Sequence, residues 1–331
     1  VAVLHYDIEA DWHLLNTCNY RCSYCFFDAA TLGEKLRGFA SPGAWEKAFN
    51  ATGKTWLVHM TGGEPSLYPD FVELCRRLAR RHYISFNSNL TNASIADFAQ
   101  RLDPSRVSFI NAGLHLAERE ERSGNSRFLK HAELLRKRGF PIVVSVVATP
   151  AVLERYSDAI SLLDGTGLFP IPKLLRGAFD GRIYPEAYSE LDRTRFRVYA
   201  AQARQSHKSA IAGRPEAITI DMFDDEEFLG GVPSFTGRTC EAGRRFVRLN
   251  PDGEVFRCSE KTRLGNLLAG TFTPAQRASL CDTSYCFYFC QKYASDGVQT
   301  TKPSASSSPD AGSRKPSGFI KRVLRDFNVF C

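Results

Sequence analysis

The sequence predicts an α/β fold of parallel βα units followed by a small metal-stapled unit, and three observations predict it. Six short apolar runs alternate with six longer amphipathic stretches between residues 11 and 210. Polar and special residues cluster directly after those apolar runs. Ten cysteines fall mainly into two groups, at 18, 22 and 25 and at 240, 258, 281, 286 and 290, with Cys75 and Cys331 apart.

The candidate strands are His13-Leu14-Leu15, Trp56 to Met60, Ile84-Ser85-Phe86, Val107 to Ile110, Ile142 to Val147 and Leu168 to Ile171. Between and after them lie candidate helices near 42–51, 69–81, 94–101, 126–138, 151–164 and 186–205. Such alternation implies parallel strands, most simply part of a (β/α) barrel or an open doubly wound sheet. In either architecture ligands gather at the carboxyl ends of the strands. Cys18 follows the first strand, Thr61-Gly62-Gly63-Glu64-Pro65 the second, Asn87-Ser88-Asn89 the third, Asn111 the fourth, and Lys173 and Arg176 the sixth.

From about 236 the texture changes to short segments, a Pro251-Asp252-Gly253 turn and clustered cysteines. A unit over 236–293 is too small to bury much core alone, so bound metal would supply part of its stability. Residues 295–318 are rich in Ser, Pro, Gly, Lys and Asp and read as a flexible linker. Over 319–331, Phe319, Ile320, Val323, Leu324 and Phe327 share a helical face, which predicts an amphipathic tail helix docked on the body.

Composition narrows the function classes. Of the 331 residues 43% are hydrophobic and 24% charged, ample for a sizeable core and far from a disordered chain. No apolar run approaches the length of a membrane span, and His5, Asp7 and Glu9 near the start are unlike a signal peptide, so a cytoplasmic chain is expected. The net charge of +7 suits anionic ligands. Much of it sits in Arg76-Arg77, Arg80-Arg81 and Arg136-Lys137-Arg138 near predicted helix ends, where it complements helix dipoles, so no nucleic acid partner is expected. A disulfide scaffold belongs in short secreted chains, so reduced thiolates holding metal account better for the cysteines.

Cys18-Asn-Tyr-Arg-Cys22-Ser-Tyr-Cys25 has the spacing C-x3-C-x2-C. Three thiolates on one tight loop can hold three corners of a [4Fe–4S] cube and leave one iron open to an outside ligand. Zinc would need a fourth protein ligand; His13 is nearest, but lies inside the predicted strand. With Tyr24 before the last cysteine and Gly62-Gly63-Glu64-Pro65 after the second strand, residues 10–205 resemble the radical S-adenosylmethionine (radical SAM) enzymes. The resemblance implies a partial (β/α)6 TIM-like barrel over residues 1–210.

It also implies that Cys18, Cys22 and Cys25 ligate the cluster, whose open iron takes the amino and carboxylate groups of SAM. Glycines 62 and 63 permit close backbone approach, and Glu64, beside Pro65, can accept a hydrogen bond from the SAM ammonium. Tyr24 is expected near the adenine, Asn87, Ser88 and Asn89 at the ribose or methionine, and Arg176 at the SAM carboxylate; ordinary turn chemistry is the other reading of 87–89. The sequons at Asn89 and Asn92 would go unused in an unexported iron–sulfur protein.

Downstream, Cys240-Glu-Ala-Gly243, the Asn250 to Gly253 turn before Cys258, and Leu264-Gly265-Asn266 resemble the auxiliary-cluster domains called SPASM and twitch. An Asp-Gly turn between apolar runs has hairpin chemistry. The resemblance implies one auxiliary iron–sulfur cluster, [4Fe–4S] or [2Fe–2S], held by Cys240, Cys258 and two of Cys281, Cys286 and Cys290. The remaining thiol of those three is a candidate hydrogen donor, and a structural zinc ribbon is the competing reading. Cys75 lies on an apolar helical stripe and reads as core, Cys331 carries no assigned role, and His115, near a strand end, reads as a structural histidine, with a place facing the substrate as the other reading.

The function implied is reductive cleavage of SAM to a 5′-deoxyadenosyl radical, hydrogen abstraction from substrate, and radical oxidation or epimerisation. The expected reductant is a flavodoxin or ferredoxin. Only 17 residues precede Cys18, which favours a carbohydrate-like or other small molecule over a ribosomal peptide. A radical SAM peptide maturase is the alternative, and a non-catalytic iron–sulfur or zinc electron-transfer protein is the alternative of another class.

Overall fold

The computed structural model describes residues 4–25, 27, 32–33, 38–122, 124–208, 225–231, 234–258, 262–282, 286 and 293–295. The expected tail helix over 319–331, residues 296–318 of the expected linker, Cys290 and Cys331 lie outside the described residues. The alternation resolves into β1 (Ile8–Leu15), α1 (Pro42–Ala51), β2 (Trp56–Gly62), α2 (Phe71–Leu78), β3 (Tyr83–Ser88), α3 (Ser94–Arg101), β4 (Val107–Gly113), α4 (Leu116–Glu121), α5 (Asn125–Lys137), β5 (Ile142–Val147), α6 (Pro150–Glu154), α7 (Tyr156–Leu162) and β6 (Pro170–Lys173). A short hairpin, β7 (Gly177–Phe179) and β8 (Arg182–Tyr184), precedes α8 (Glu190–Ser206).

Local chemistry sets several helix starts. Ser41 caps α1 ahead of Pro42, Thr149 caps α6 ahead of Pro150, and Ser189 forms a capping box with Asp192 at α8. The stretch 151–164, expected as one helix, is two, because Arg155 leaves helical geometry at φ −116° and ψ 31°. β1 begins five residues before the expected run, because Glu9 and Asp11 interrupt its apolar pattern yet are fully buried.

Strands β1 to β6 are all parallel and lie in sequence order across the sheet. A doubly wound sheet reverses its strand order at a switch point; this one never does. With β6 at one edge and no closure back onto β1, the architecture is a partial TIM-like barrel. Its outer layer buries large aromatics: Trp12 meets Trp45 edge-on with centroids 4.4 Å apart, and Phe71, Phe86 and Phe98 pack together under α2 and α3.

The C-terminal strands are β9 (Thr239–Cys240), β10 (Phe246–Leu249), β11 (Glu254–Phe256), β12 (Arg263–Asn266), β13 (Ser279–Leu280) and β14 (Ala294–Ser295). β10, β11 and β12 extend the main sheet, and β13, β9 and β14 form a separate antiparallel sheet. β10 pairs in parallel with β1, placing Arg248 opposite Asp11, and β11 and β12 follow antiparallel. The expected Asp-Gly hairpin is present, with Gly253 at φ +88° and its N–H on the Asn250 carbonyl at 3.0 Å. Val247, Leu249, Val255 and Leu267 join the main hydrophobic core, while Phe235, Phe246 and Cys286, and Cys240, Ala242 and Cys258, form two small buried clusters beside it.

Candidate radical SAM site

At the carboxyl ends of β1 to β6 a cavity opens whose wall includes Cys18, Cys22, Cys25, Glu64, Asn87 and Arg176. The structure therefore brings the three cysteines of the first group together with every strand-end motif singled out from the sequence. The thiols are half-buried. Burial pushes Cys18 up to about 11 and raises Cys25, so in the bare chain these thiols are neutral and ligation by a cationic cluster would draw off their protons.

The two glycines have a tighter reason than ligand approach. A Cβ on Gly62 would stand 2.3 Å from the Leu15 carbonyl oxygen, and one on Gly63 would stand 2.2 Å from that of Thr17. The N–H groups of Gly63 and Glu64 instead donate to Leu15 and Thr17 at 2.7 and 2.8 Å. The end of β2 is thereby laced to the segment that enters the cysteine loop.

Glu64 is the polar hub of the wall. Its Oε1 accepts from the Ser66 N–H, the Ser66 hydroxyl and the Ser88 hydroxyl at 3.1, 2.5 and 2.7 Å, and its Oε2 accepts from the Asn89 N–H at 2.7 Å. Burial raises its pKa, and the hydrogen bonds from Ser66, Asn89 and Ser88 oppose that rise. A carboxylate offers about four acceptor sites; the three donors on Oε1 and one on Oε2 leave acceptor capacity on Oε2. Ser88 thus serves the hub, and its hydroxyl also accepts from the Leu90 N–H at 2.9 Å.

Asn89 faces the cysteine loop. Its Nδ2 donates to Asn19 Oδ1 at 2.8 Å, and its Oδ1 accepts from the Thr91 hydroxyl at 2.6 Å. Asn87 accepts from Asn111 Nδ2 at 3.1 Å. Arg119, fully buried, was missed from the sequence because nothing separates it from its neighbours in Glu118 to Arg122. Its guanidinium donates to the carbonyls of Asn89 and Gly113 at 2.6 and 2.9 Å and lies 4.0 Å from the Phe128 ring centroid. Burial lowers its pKa to about 10, which still leaves it charged at neutral pH.

His115 sits on the cavity wall, hydrogen-bonded through Nδ1 to the Tyr24 hydroxyl at 2.7 Å. Burial, then the Arg119 charge, lowers its pKa to about 3, so the ring is neutral and accepts the Tyr24 proton. Arg176 and Lys173 both donate to Asp225 Oδ1 at 3.0 Å. Asp225 was also missed, since it stands in the acidic run Asp224 to Glu227 with no spacing signal.

In the second group, Cys240 and Cys258 share a buried cluster with Ala242, and Cys281 packs against that cluster and against one made of Phe235, Phe246 and Cys286. Burial raises Cys240, with Cys281 and Cys286 adding to the rise. Cys75 is fully buried in the main core, as expected. Among the described residues no three Cys, His, Asp or Glu side chains form a single-ion site.

The profile of the Radical SAM superfamily matches residues 12–161. Residues 12–161 are a radical SAM domain. Proteins with this domain use a [4Fe–4S] cluster and SAM, and the donor set on the cavity wall, three thiols beside a hub carboxylate, fits that pair. The chain is 26% identical over 258 residues to mycofactocin maturase MftC of Mycobacterium ulcerans, a match spanning 75% of this chain and 67% of MftC. It is 30% identical over 168 residues to a GTP 3′,8-cyclase of Picosynechococcus sp., covering 46% of this chain and 51% of that enzyme, about half its length. Among solved structures it resembles anSMEcpe with bound AdoMet (TM-score 0.51, 18% identity, 79% of this chain and 78% of that one). It also resembles Streptococcus suis SuiB bound to S-adenosylmethionine (TM-score 0.54, 14% identity, 80% and 64%). At these identities the two structures speak for the fold. No helix among the described residues is long and apolar enough to cross a membrane.

Proposed function

We propose that this chain is a radical SAM enzyme that oxidises a ribosomally made peptide. This replaces the small-molecule expectation, which leaned on the number of residues before Cys18. The observation that carries the reading is the reach of the match to MftC, a maturase: three quarters of a 331-residue chain, wherever it starts, includes Cys240, and the fold is shared with Streptococcus suis SuiB bound to precursor peptide SuiA. The match to the GTP cyclase spans under half the chain and bears less on the region beyond the radical SAM domain.

In this reading Cys18, Cys22 and Cys25 hold the SAM-binding cluster, Glu64 accepts from the SAM ammonium through Oε2, Tyr24 lies at the adenine, and Asn87 is within the ribose side of the cavity. Ser88 and Asn89 act through Glu64 and the cysteine loop rather than by touching SAM. Bound together, the reduced cluster and SAM supply a 5′-deoxyadenosyl radical that removes a hydrogen atom from substrate. The barrel wall excludes water and other hydrogen donors from that radical.

Cys240, Cys258, Cys281 and Cys286 would hold one auxiliary iron–sulfur cluster, the natural sink for the electron left after hydrogen abstraction. An electron sink favours net oxidation over epimerisation, which returns a hydrogen atom to the substrate and leaves no electron to remove. The test is anaerobic reconstitution, then incubation of the dithionite-reduced protein with SAM and candidate precursor peptides. Formation of 5′-deoxyadenosine together with a peptide lighter by two hydrogens supports the reading; 5′-deoxyadenosine with every peptide unchanged in mass refutes it.

A further inference from the structure

Tyr24 stands on the turn between Cys22 and Cys25, where the Cys25 N–H donates to the Cys22 carbonyl at 2.9 Å. Its ring is half-buried on the cavity wall and packs against the hydrophobic cluster that includes Leu174 and Leu175. A phenol carried on a short loop has its own rotational freedom, and a ligand that needs the ring in one attitude must supply the cost of ordering it. A hydrogen bond made in the free protein removes part of that cost.

His115 makes such a bond from another element. It lies beyond the end of β4, and its Nδ1 accepts from the Tyr24 hydroxyl at 2.7 Å, with the two ring centroids 6.0 Å apart and the planes inclined by 27°. The residue stands where α4 begins, at φ −84° and ψ 80°, yet its side chain makes no cap bond to that helix. The imidazole is therefore spent on the phenol rather than on the backbone. It is itself pinned: a Cβ on Gly113 would stand 2.5 Å from its Nε2, so the ring lies against the glycine backbone, and Tyr20 meets it edge-on with centroids 5.8 Å apart and planes at 84°. Because burial and the Arg119 charge keep the ring neutral, Nδ1 retains the lone pair that accepts the proton.

We propose that His115 is a positioning residue for SAM, holding the Tyr24 ring through its hydroxyl in the attitude that receives the adenine. The proposal rests on the place given to Tyr24 in the reading above. It joins two segments 91 residues apart, the cysteine loop and the end of β4, so that the ring is set before the cofactor arrives. His115 touches no reacting atom in this role; it acts through Tyr24.

The test uses the full chain with its clusters reconstituted and kept oxidised, so that SAM stays whole, and reads SAM affinity by equilibrium dialysis. His115→Leu fills the space without an acceptor, and Tyr24→Phe removes the same bond from its other end. Each should weaken SAM about fivefold, the size of one side chain left to be ordered on binding. The double variant should be no weaker than either single one, since both delete one interaction. His115→Asn, whose amide oxygen replaces Nδ1 as acceptor, should keep the wild-type affinity within about twofold. Where His115→Leu fails to take up iron, Tyr24→Phe carries the comparison, because it deletes one oxygen atom and leaves the imidazole in place. The proposal is overturned if Tyr24→Phe binds SAM as the wild type does, if the two single losses multiply in the double variant, or if His115→Asn is as weak as His115→Leu. Tyr24→Ala separates the role from the reading beneath it: full SAM affinity there sinks Tyr24 at the adenine, whereas weakened SAM there with Tyr24→Phe unchanged sinks the role of His115 alone.

Discussion

Asn89 donates to Asn19 across 2.8 Å and thereby ties the end of β3 to the loop that carries Cys18 and Cys22. The cysteine loop is thus held from several sides: by Asn89, by the Leu15 and Thr17 carbonyls that accept from β2's end, and by Arg119 through the Tyr20 hydroxyl at 3.3 Å. Preorganisation of this kind lets three thiols meet a cluster without reordering the chain.

Replacing Cys18 with Ala should remove the first cluster and spare the second. Iron in the anaerobically reconstituted protein should fall by about four atoms per chain, and SAM cleavage should be lost. Cys75→Ala, made in parallel, should keep full iron, because that thiol is core.

Gly63→Ala should damage the loop from outside it. The new methyl group would be driven against Thr17 O at 2.2 Å, so the lacing between β2 and the cysteine loop must open. A loss of about 1–3 kcal/mol in urea unfolding is expected, together with incomplete iron uptake. Unchanged unfolding and full iron would show the loop to be less constrained than the contacts indicate.

Glu64→Gln keeps the shape of the hub but turns one acceptor into a donor facing Ser66, Ser88 or the Asn89 N–H. Stability should drop by about 1–3 kcal/mol. SAM affinity, measured by equilibrium dialysis, should drop about tenfold, as for loss of a charge-assisted bond.

His82 gives the fold a pH dependence away from the site. It is almost fully buried, its Nδ1 accepts from the Trp56 N–H at 3.3 Å, and burial lowers its pKa from 6.5 to about 4. Between those values the unfolded chain binds the proton and the folded one does not, so stability is full above about pH 6.5 and declines as the pH falls towards 4, by up to about 3 kcal/mol. Urea midpoints of the wild type should fall over that window more steeply than those of His82→Gln, and parallel curves would rule His82 out as the cause.

The barrel was legible in the sequence because β2, β4 and β5 are mostly apolar runs separated by amphipathic helices. The first half of β1 was not legible: Glu9 is buried by accepting from Tyr6 at 3.0 Å, from Tyr293 at 2.8 Å and from His59, partners up to 284 residues away. Distance along the chain also hid the pairing of β10 with β1 and the meeting of Asp225 with Lys173 and Arg176. Within the site, motif spacing located Cys18, Cys22, Cys25 and Glu64. Residues 88 and 89 line the cavity and also bond to Glu64 and Asn19, partners distant along the chain that turn chemistry alone does not reveal.

The parallel ladder between β1 and β10 acts as a ruler. β1 runs into the first cysteine loop, while β10 stands between Cys240 and Cys258, and their alignment is fixed by Glu9 opposite Phe246 and Asp11 opposite Arg248. A slip of one residue would displace one thiol group relative to the other by about 3.3 Å and turn Arg248 to the opposite face of the sheet. In the proposed reading, where each thiol group holds a cluster, the pairing of two short strands sets the gap an electron crosses between them.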